Sequence, residues 1–209
     1  MAHNYAELAF GDAAKKLQEE YGSRSTYARM EKQTTYDGLT EAEEGFIGER
    51  DSFYMASIGE NGFPYIQHRG GPKGFVKVID PFTLAFADFR GNKQYISTGN
   101  IATNNKVALI FMDYPHRARL KIYAKAEVFG LSDDVSLAAL LALQGYTAKE
   151  ERYLKLTVEA FDWNCQQHIT PRYTAAEIEA AFAPQRAYME QLKAENQRLS
   201  EALQAKNKA

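Results

Sequence analysis

The chain of 209 residues lacks a second cysteine, a long uncharged apolar run and an excess of either charge. The single Cys165 cannot form an internal disulfide, which excludes a disulfide-stapled secreted scaffold. No segment approaches the ~18–20 apolar residues that cross a bilayer. The first residues, MAHNYAELAF, lack the basic segment and apolar run of a signal peptide. We therefore expect a cytoplasmic protein with no membrane segment.

The charge balance does not indicate a binding partner. Lys and Arg number 25 against 27 Asp and Glu, which gives a formal net charge of −2. Such a chain has no overall attraction to nucleic acid or to anionic membranes. Its 45% hydrophobic and 25% charged residues are ordinary for a globular protein, so we expect one domain carrying additional helices.

Seven short segments rich in aromatic and β-branched residues lie between residues 53 and 163. Turn signals separate the early ones, and Asn61-Gly62 is the dipeptide most typical of a β-hairpin. Many strands at short spacing favour an antiparallel barrel or sandwich. The segments are FYMASIG, FPYIQHR, FVKVID, TLAFADF, KVALIFMDY, RLKIYAKAEVFG and YLKLTVEAFDW.

Helical patterns surround and interrupt these strands. In the arm of residues 1–45, DAAKKLQEEYG predicts a helix ending at Gly22, and Thr40 with Glu43 has the spacing of a capping box. Two further helices are predicted within NKQYISTGNIATNN and SDDVSLAALLALQGY, the second with Ser132 as its N-cap.

The extension of residues 174–209 is predicted to be helical, with Pro184 in the first turn of a new helix. Apolar residues there alternate spacings of three and four, with one Asn at a heptad a position. The pattern fits an amphipathic helix packed on its own barrel, which we favour, or a short intermolecular coiled coil. The seam consists of Met189, Leu192, Asn196, Leu199 and Leu203.

Three segments combine glycine with basic residues where strands meet turns: QHRGGPKGF, ADFRGNKQYISTGN and HRARL. Glycine lets backbone N–H groups approach an anion, and arginine binds phosphate with two parallel hydrogen bonds. A phosphate site is one interpretation, and solvated basic residues in polar turns are the other. GGPKGF is not a P-loop, because the Lys-Ser/Thr ending and following helix are missing.

Cys165 and His168 could be a nucleophile with its base, two metal ligands or packed residues. The other histidines, His3, His68 and His116, show no zinc-type spacing with them. Cys-x-x-His alone does not identify a catalytic pair. We favour a small packed role for Cys165, because lone cysteines after a strand usually behave as small hydrophobes.

The run from FPYIQHRGGPKGF to VALIFMDY, followed by RLKIYAKAEVFG and WNCQQHITPR, resembles the flavin-nucleotide-binding split-barrel proteins related to pyridoxamine 5′-phosphate oxidase. The resemblance implies a mainly β (α+β) fold, a six-stranded antiparallel split barrel over residues 46–173. It also implies a homodimer with two FMN molecules in clefts at the dimer interface.

At the phosphate and ribityl end of FMN, the resemblance implies contacts from five residues. Lys93 keeps the role of the second member of the family's Arg-Lys pair, and the arginine position is occupied by Asn92. The five are Arg69, Asn92, Lys93, Ser97 and Asn100.

At the ring end, the resemblance places the backbone of Phe75 and Val76 along the isoalloxazine edge and turns Arg119 toward the flavin. A positive charge there would raise the flavin's potential. His168 is the candidate for a catalytic role. The residues implied to come from the partner subunit are Gln167, His168 and Arg172.

The implied activity is FMN-dependent oxidoreduction of a small molecule. Pyridoxamine phosphate is not the expected substrate, because QHITPR stands where that oxidase carries Arg-x-His. The alternatives are a non-catalytic flavin-binding or sensing protein whose C-terminal helix recruits a partner, a haem-binding split barrel using His68 or His168, and a deazaflavin protein.

Overall fold

The computed structural model describes residues 4–33, 37–163 and 165–207. It divides into two compact units, residues 1–168 and 169–209. Among the described residues, the first unit holds one antiparallel sheet with six helices, and the second holds one long helix. Within the described residues, no helix has the length and apolar character needed to cross a membrane.

All seven predicted strand segments form strands, and every pair of neighbours is antiparallel. The sheet order is β2-β1-β5-β6-β7-β4-β3, so β2 and β3, neighbours in sequence, lie at opposite edges. The fold class is therefore the expected α+β one, with seven strands instead of six. The strands are β1 Ser52–Ile58, β2 Pro64–Gly70, β3 Lys77–Asp80, β4 Thr83–Phe89, β5 Lys106–Asp113, β6 Ala118–Phe129 and β7 Glu150–Trp163.

In the part of the chain that the structure describes, four helices precede the sheet, two are inserted in it and one follows it. The predicted capping box at Thr40 and Glu43 is confirmed, since both of its hydrogen bonds are present. The helices are α1 Tyr5–Ala9, α2 Asp12–Glu20, α3 Arg24–Gln33, α4 Glu41–Gly48, α5 Ile96–Thr103, α6 Val135–Leu141 and α7 Ala175–Asn207.

Two predicted helix starts are wrong. Asp134, not Ser132, caps α6, because its carboxylate accepts the Leu137 N–H at 2.9 Å. Pro184 does not open a new helix but lies inside α7, which begins nine residues earlier. The Thr174 hydroxyl accepts the Glu177 N–H at 3.2 Å, so Thr174 caps the N-terminus of α7 and the helix starts there, not at Pro184.

The sheet curls so that β1 and β4, far apart in strand order, close over one core. The Phe53 ring on β1 lies 5.2 Å from the Phe86 ring on β4 and 4.9 Å from Phe111 on β5. All three rings are fully buried. Edge strand β2 therefore faces β4 without pairing to it, and the opening between them is the split of the barrel.

The N-terminal arm packs on the sheet. The Tyr5 ring of α1 stacks on Tyr123 of β6 at 4.8 Å, and the Trp163 Nε1–H of β7 donates to Glu43 of α4 at 2.6 Å. Its first helix thus covers part of the outer face of β6 and β7, a placement that residue spacing alone did not decide.

Candidate functional site

The inward-facing side chains of β2 line the split. Tyr65, Gln67 and Arg69 are half-buried and alternate with exposed residues, as a strand period of two requires. Across the opening, Asp88 follows Leu84 and Phe86 on the core-facing side of β4. The two strands thus place an arginine opposite a carboxylate at the edge of the core.

Asp88 bridges two arginines. Arg69 donates from Nη1 to one carboxylate oxygen, and the Arg152 Nε lies 3.5 Å from the other. Arg152 is the cross-strand partner of Asp88 in the β4–β7 register. The Arg69 and Asp88 side chains are only 10% and 11% exposed. At such burial, direct pairing of the carboxylate with two guanidinium groups offsets the free-energy cost of removing these charges from water.

Arg152 is fixed on several sides. Its Nη1 donates to Thr98 Oγ1 at 3.2 Å, its Nη2 lies 2.8 Å from Glu151, and its guanidinium stands 4.7 Å from the centre of the Tyr95 ring. Glu151 also pairs with Arg90 at 3.0 Å, and this hydrogen bond lowers the Glu151 pKa. A guanidinium held this firmly is pre-organised to bind an anion.

The loop between β4 and α5 has an unusual backbone. Lys93 and Tyr95 adopt left-handed conformations, with φ of 62° and 55°. For residues other than glycine this costs of order 1–3 kcal/mol each, and such strain concentrates at functional sites. Asn92 Oδ1 accepts the Gln94 N–H at 3.1 Å and stabilises the loop. Of the predicted pair, Asn92 therefore stabilises the loop, and Lys93 supplies a positive charge.

Helix α5 is fastened to the sheet by two of the predicted residues. Ser97 donates to Gln67 Oε1 at 2.5 Å, and Asn100 Nδ2 donates to Ser57 Oγ at 3.0 Å. The N-cap residue Tyr95 has no side-chain cap bond. Residues of the first turn, whose N–H groups carry partial positive charge, line the same opening as the arginines.

These groups enclose what we call the split pocket. Its cavity volume is about 60 Å³. Because one water needs about 10–15 Å³ on this scale, the pocket accommodates a group of a few heavy atoms, such as phosphate. Three cations against two carboxylates leave its wall with one net positive charge. The lining residues are Tyr65, Gln67, Arg69, Asp88, Phe89, Gly91, Asn92, Lys93, Gln94, Tyr95, Ile96, Ser97, Thr98, Glu151 and Arg152.

A wider opening, which we call the hairpin cleft, shares Tyr65, Gln94, Tyr95 and Ile96 with the split pocket. It lies between the β1–β2 hairpin and the start of α5, with a volume of about 670 Å³. That is within the roughly 300–1,000 Å³ typical of cofactor sites. The exposed Phe63 ring stands on its wall. A phosphate-sized pocket therefore opens beside a cleft large enough for a ring system.

The glycine turn after β2 serves the core rather than an anion. The N–H groups of Gly71 and Gly74 donate to the carbonyls of Asp51 and Arg50 at 2.9 and 3.1 Å. A Cβ on Gly71 would lie 2.7 Å from Cγ of Phe75. The glycine thus lets the Phe75 ring enter the core. Of the three segments that predicted a phosphate site, this one contributes Gln67 and Arg69 but not its glycine amides.

The remaining ring-end residues are not gathered at the split pocket. The side chains of Phe75 and Val76 are buried, so only their backbone is left for the predicted ring contact. Arg119 lies on β6, separated from β2 by β5 and β1 in the sheet order. The predicted roles of these three residues stay predictions.

The WNCQQHITPR segment begins at Trp163, the last residue of β7, and its predicted site residues follow that strand. Gln167 and His168 are exposed, with His168 in a left-handed conformation at φ 63°, and Arg172 of the second unit is exposed as well. Cys165 is exposed too, so the packing expected around it is not provided by its own chain. Within the described ranges, no group of three or more His, Cys, Asp or Glu side chains could hold a metal ion.

Sequence reasoning missed Asp88 and Arg152, although a signal was present. Each continues a period-2 run of core residues: Asp88 follows Leu84 and Phe86, and Arg152 precedes Leu154. A charge in the core-facing register must find a partner, because an unpaired buried charge is costly. Two opposite charges in that position predict an ion pair inside the barrel.

Comparison with known proteins gives one sequence match. Residues 39–165, more than half of the chain, match the family of pyridoxamine 5′-phosphate oxidase. No curated protein matches the chain.

Solved structures show likeness in fold at low sequence identity. HupZ of Group A Streptococcus gives a TM-score of 0.49 at 18% identity, over 65% of this chain and 99% of its own. A candidate pyridoxamine 5′-phosphate oxidase of Lactobacillus delbrueckii gives 0.47 at 24%, over 61% and 96%. An F420 reductase gives 0.42 at 17%, over 59% and 98%.

Proposed function

The chain belongs to the pyridoxamine 5′-phosphate oxidase family, and on that premise we propose that it is an FMN-binding oxidoreductase. The observation that carries the proposal is the split pocket, in which Arg69 and Arg152 are held by Asp88 beside the strained loop of Lys93. Arginine forks and a helix N-terminus are the donors that phosphate groups prefer. The pocket is assigned to the phosphate of FMN.

FMN, when bound, supplies hydride or electron transfer at its ring system. The chain's part is to bind and orient it. Arg69 and Arg152 hold the phosphate, and Lys93 adds an exposed positive charge at the pocket mouth. Ser97, bonded to Gln67, fixes the first turn of α5 so that its N–H groups stay directed at the same anion.

The ring system needs space outside the split pocket, which is too small for it. We propose that a second copy of the chain completes the ring site as a homodimer, with Gln167, His168 and Arg172 coming from that copy. His168 is the candidate proton donor or substrate contact. Within one chain the hairpin cleft, with Phe63 and Tyr95, is a space of suitable volume that adjoins the split pocket.

The proposed substrate is a small redox molecule other than pyridoxamine phosphate. The exposed turn of QHITPR offers a different set of groups from the Arg-x-His that holds that substrate's phosphate. We place the activity in the cytoplasm, where the exposed thiol of Cys165 would stay reduced.

The test is an ultraviolet–visible spectrum of the purified untagged protein, repeated on the supernatant after heat denaturation. Flavin bands released as free FMN, and bleached by a nicotinamide donor, would support the proposal. A colourless protein that takes up neither FMN nor a deazaflavin would contradict it. An intense Soret band would instead favour haem, with His68 or His168 as the ligand to examine.

A further inference from the structure

Helix α7 is a long surface with no partner in its own unit. It has 33 residues and none is buried. At 1.5 Å per residue it is about 50 Å long. A helix of this length that exposes large apolar side chains is stabilised by packing against another element.

The apolar side chains form one stripe. Six lie at heptad a and d positions in a single register that continues through Pro184 and extends the seam predicted from Met189 onward. They are between 39% and 62% exposed. Leu192 and Leu199 occupy d positions, as in two-stranded coiled coils. The six are Ile178, Phe182, Met189, Leu192, Leu199 and Leu203.

We infer that α7 pairs with α7 of a second copy as a parallel, in-register, two-stranded coiled coil. Asn196 occupies an a position between Leu192 and Leu199, where it would be buried on pairing. In the parallel in-register arrangement, a faces a, so each Asn196 amide meets the partner's Asn196. In the antiparallel pair that overlaps the whole stripe, a faces d and Asn196 would meet Gln185, and a shift by one heptad would leave both amides against apolar side chains. Only the parallel in-register pair places each amide opposite an identical one.

Gln185 and the flanking residues agree with this arrangement. Gln185, at a d position, would also face its own copy only in the parallel register. The flanking g and e positions bring Tyr188 near Lys193 of the second copy, and Glu195 near Ser200. Neither pair opposes like charges, which would destabilise the seam.

The inference rests on the proposed homodimer. A seam of three to four heptads is marginal for isolated helices, and its area is small beside the ~1,600 Å² of a standard interface. When two barrels are already paired, the helices are tethered at an effective concentration in the millimolar range. The seam therefore adds to the barrel interface and sets the mutual direction of the two C-terminal helices.

Disulfide trapping in the full chain tests the seam. The exposed Cys165 is first replaced by Ser, which leaves no thiol. Leu199→Cys then places one thiol at a d position, and the matched control Ala194→Cys places one at the outward f position of the same helix. A disulfide needs Cα atoms about 4.4–6.8 Å apart, which a parallel seam provides at d and not at f.

We expect Leu199→Cys to give covalent dimer under mild oxidation at a rate at least ten-fold above Ala194→Cys. Equal rates, or no dimer from Leu199→Cys, would overturn the inference; Leu192→Cys repeats the test if Leu199→Cys misfolds. Light scattering and the flavin spectrum are recorded on the same samples. Flavin bound by a dimer without trapping refutes the coiled coil alone, whereas a monomer without flavin refutes the proposed function as well.

Discussion

Replacing Arg69 by Gln tests whether the split pocket binds the phosphate of FMN. The side chain is 10% exposed and is bonded to Asp88. Gln keeps a shorter polar side chain but removes the charge and the guanidinium fork. Lys93→Gln is the matched variant, because it removes an equal charge from an exposed position on the same pocket wall.

The difference in burial sets the expected magnitudes. A hydrogen bond to a charged group is worth about 1.5–3 kcal/mol when it is shielded from water. At about 1.4 kcal/mol per factor of ten, Arg69→Gln should weaken FMN binding about 10- to 150-fold. An exposed charge contributes about 0.2–1 kcal/mol, so Lys93→Gln should weaken it about five-fold or less.

The assay is titration of FMN and of riboflavin by quenching of flavin fluorescence. Riboflavin has the same rings and ribityl chain but no phosphate. We expect Arg69→Gln to weaken FMN binding and leave riboflavin binding within two-fold. Raising the salt concentration should reduce the effect of Lys93→Gln more than that of Arg69→Gln, because buried charges are less screened.

Two results would refute the reasoning. Equal losses of FMN and riboflavin affinity in Arg69→Gln would mean that Arg69 supports the fold and does not contact the phosphate. If Lys93→Gln lost as much FMN affinity as Arg69→Gln, burial would not determine which of the two cations contributes more to binding. A thermal melt of each variant serves as the folding control, since Arg69→Gln leaves Asp88 with Arg152 alone.

Three further changes test other parts of the molecule. Arg152→Lys should weaken FMN about ten-fold and spare riboflavin, since an ammonium cannot bond Asp88 and Thr98 and stack on Tyr95 together; unchanged binding would remove Arg152 from the site. Burial raises the Glu43 pKa, but hydrogen bonds from Thr40 and Trp163 outweigh it and lower the pKa from 4.5. Glu43→Gln should therefore cost about 1–2 kcal/mol of unfolding free energy at pH 7. In urea titrations that loss should shrink as the pH falls below about 4.5, because the unfolded carboxyl then holds its proton first; a pH-independent loss would contradict it. Arg119→Gln should lower the FMN midpoint potential in a spectroelectrochemical titration, and an unchanged potential would show that Arg119 does not face the flavin.

Local signals in the sequence predicted most of the fold. The seven strands follow from runs of aromatic and β-branched residues, and the Asn61-Gly62 hairpin from a turn in which Gly62 has φ 81°. Thr40 and Glu43 are three residues apart, so their capping box is contained in one helical turn. The predicted start of α6 was wrong, because Ser132 and Asp134 are both good caps and only local geometry selects Asp134.

The residues of the candidate site were also predicted only in part. Arg69, Lys93 and Ser97 come from glycine and basic segments that are visible in the sequence, and all three line the split pocket. Asp88 and Arg152 were missed because their charges indicate a site only when the strands are known to place both side chains on the core side of the sheet. The glycine turn was misjudged, because its N–H groups bond to carbonyls of residues 50 and 51.

The sequence by itself determined the strands, the capped start of α4 and the heptad pattern of α7, since each depends on residues within a few positions of one another. Only the tertiary structure decided which strands meet. Arg69 and Asp88 are 19 residues apart, and Thr98 and Arg152 are 54 apart. Their meeting depends on the order of seven strands and on the closure of β2 over β4. Burial of the Phe53, Phe86 and Phe111 core drives that closure, and no short stretch of sequence encodes it.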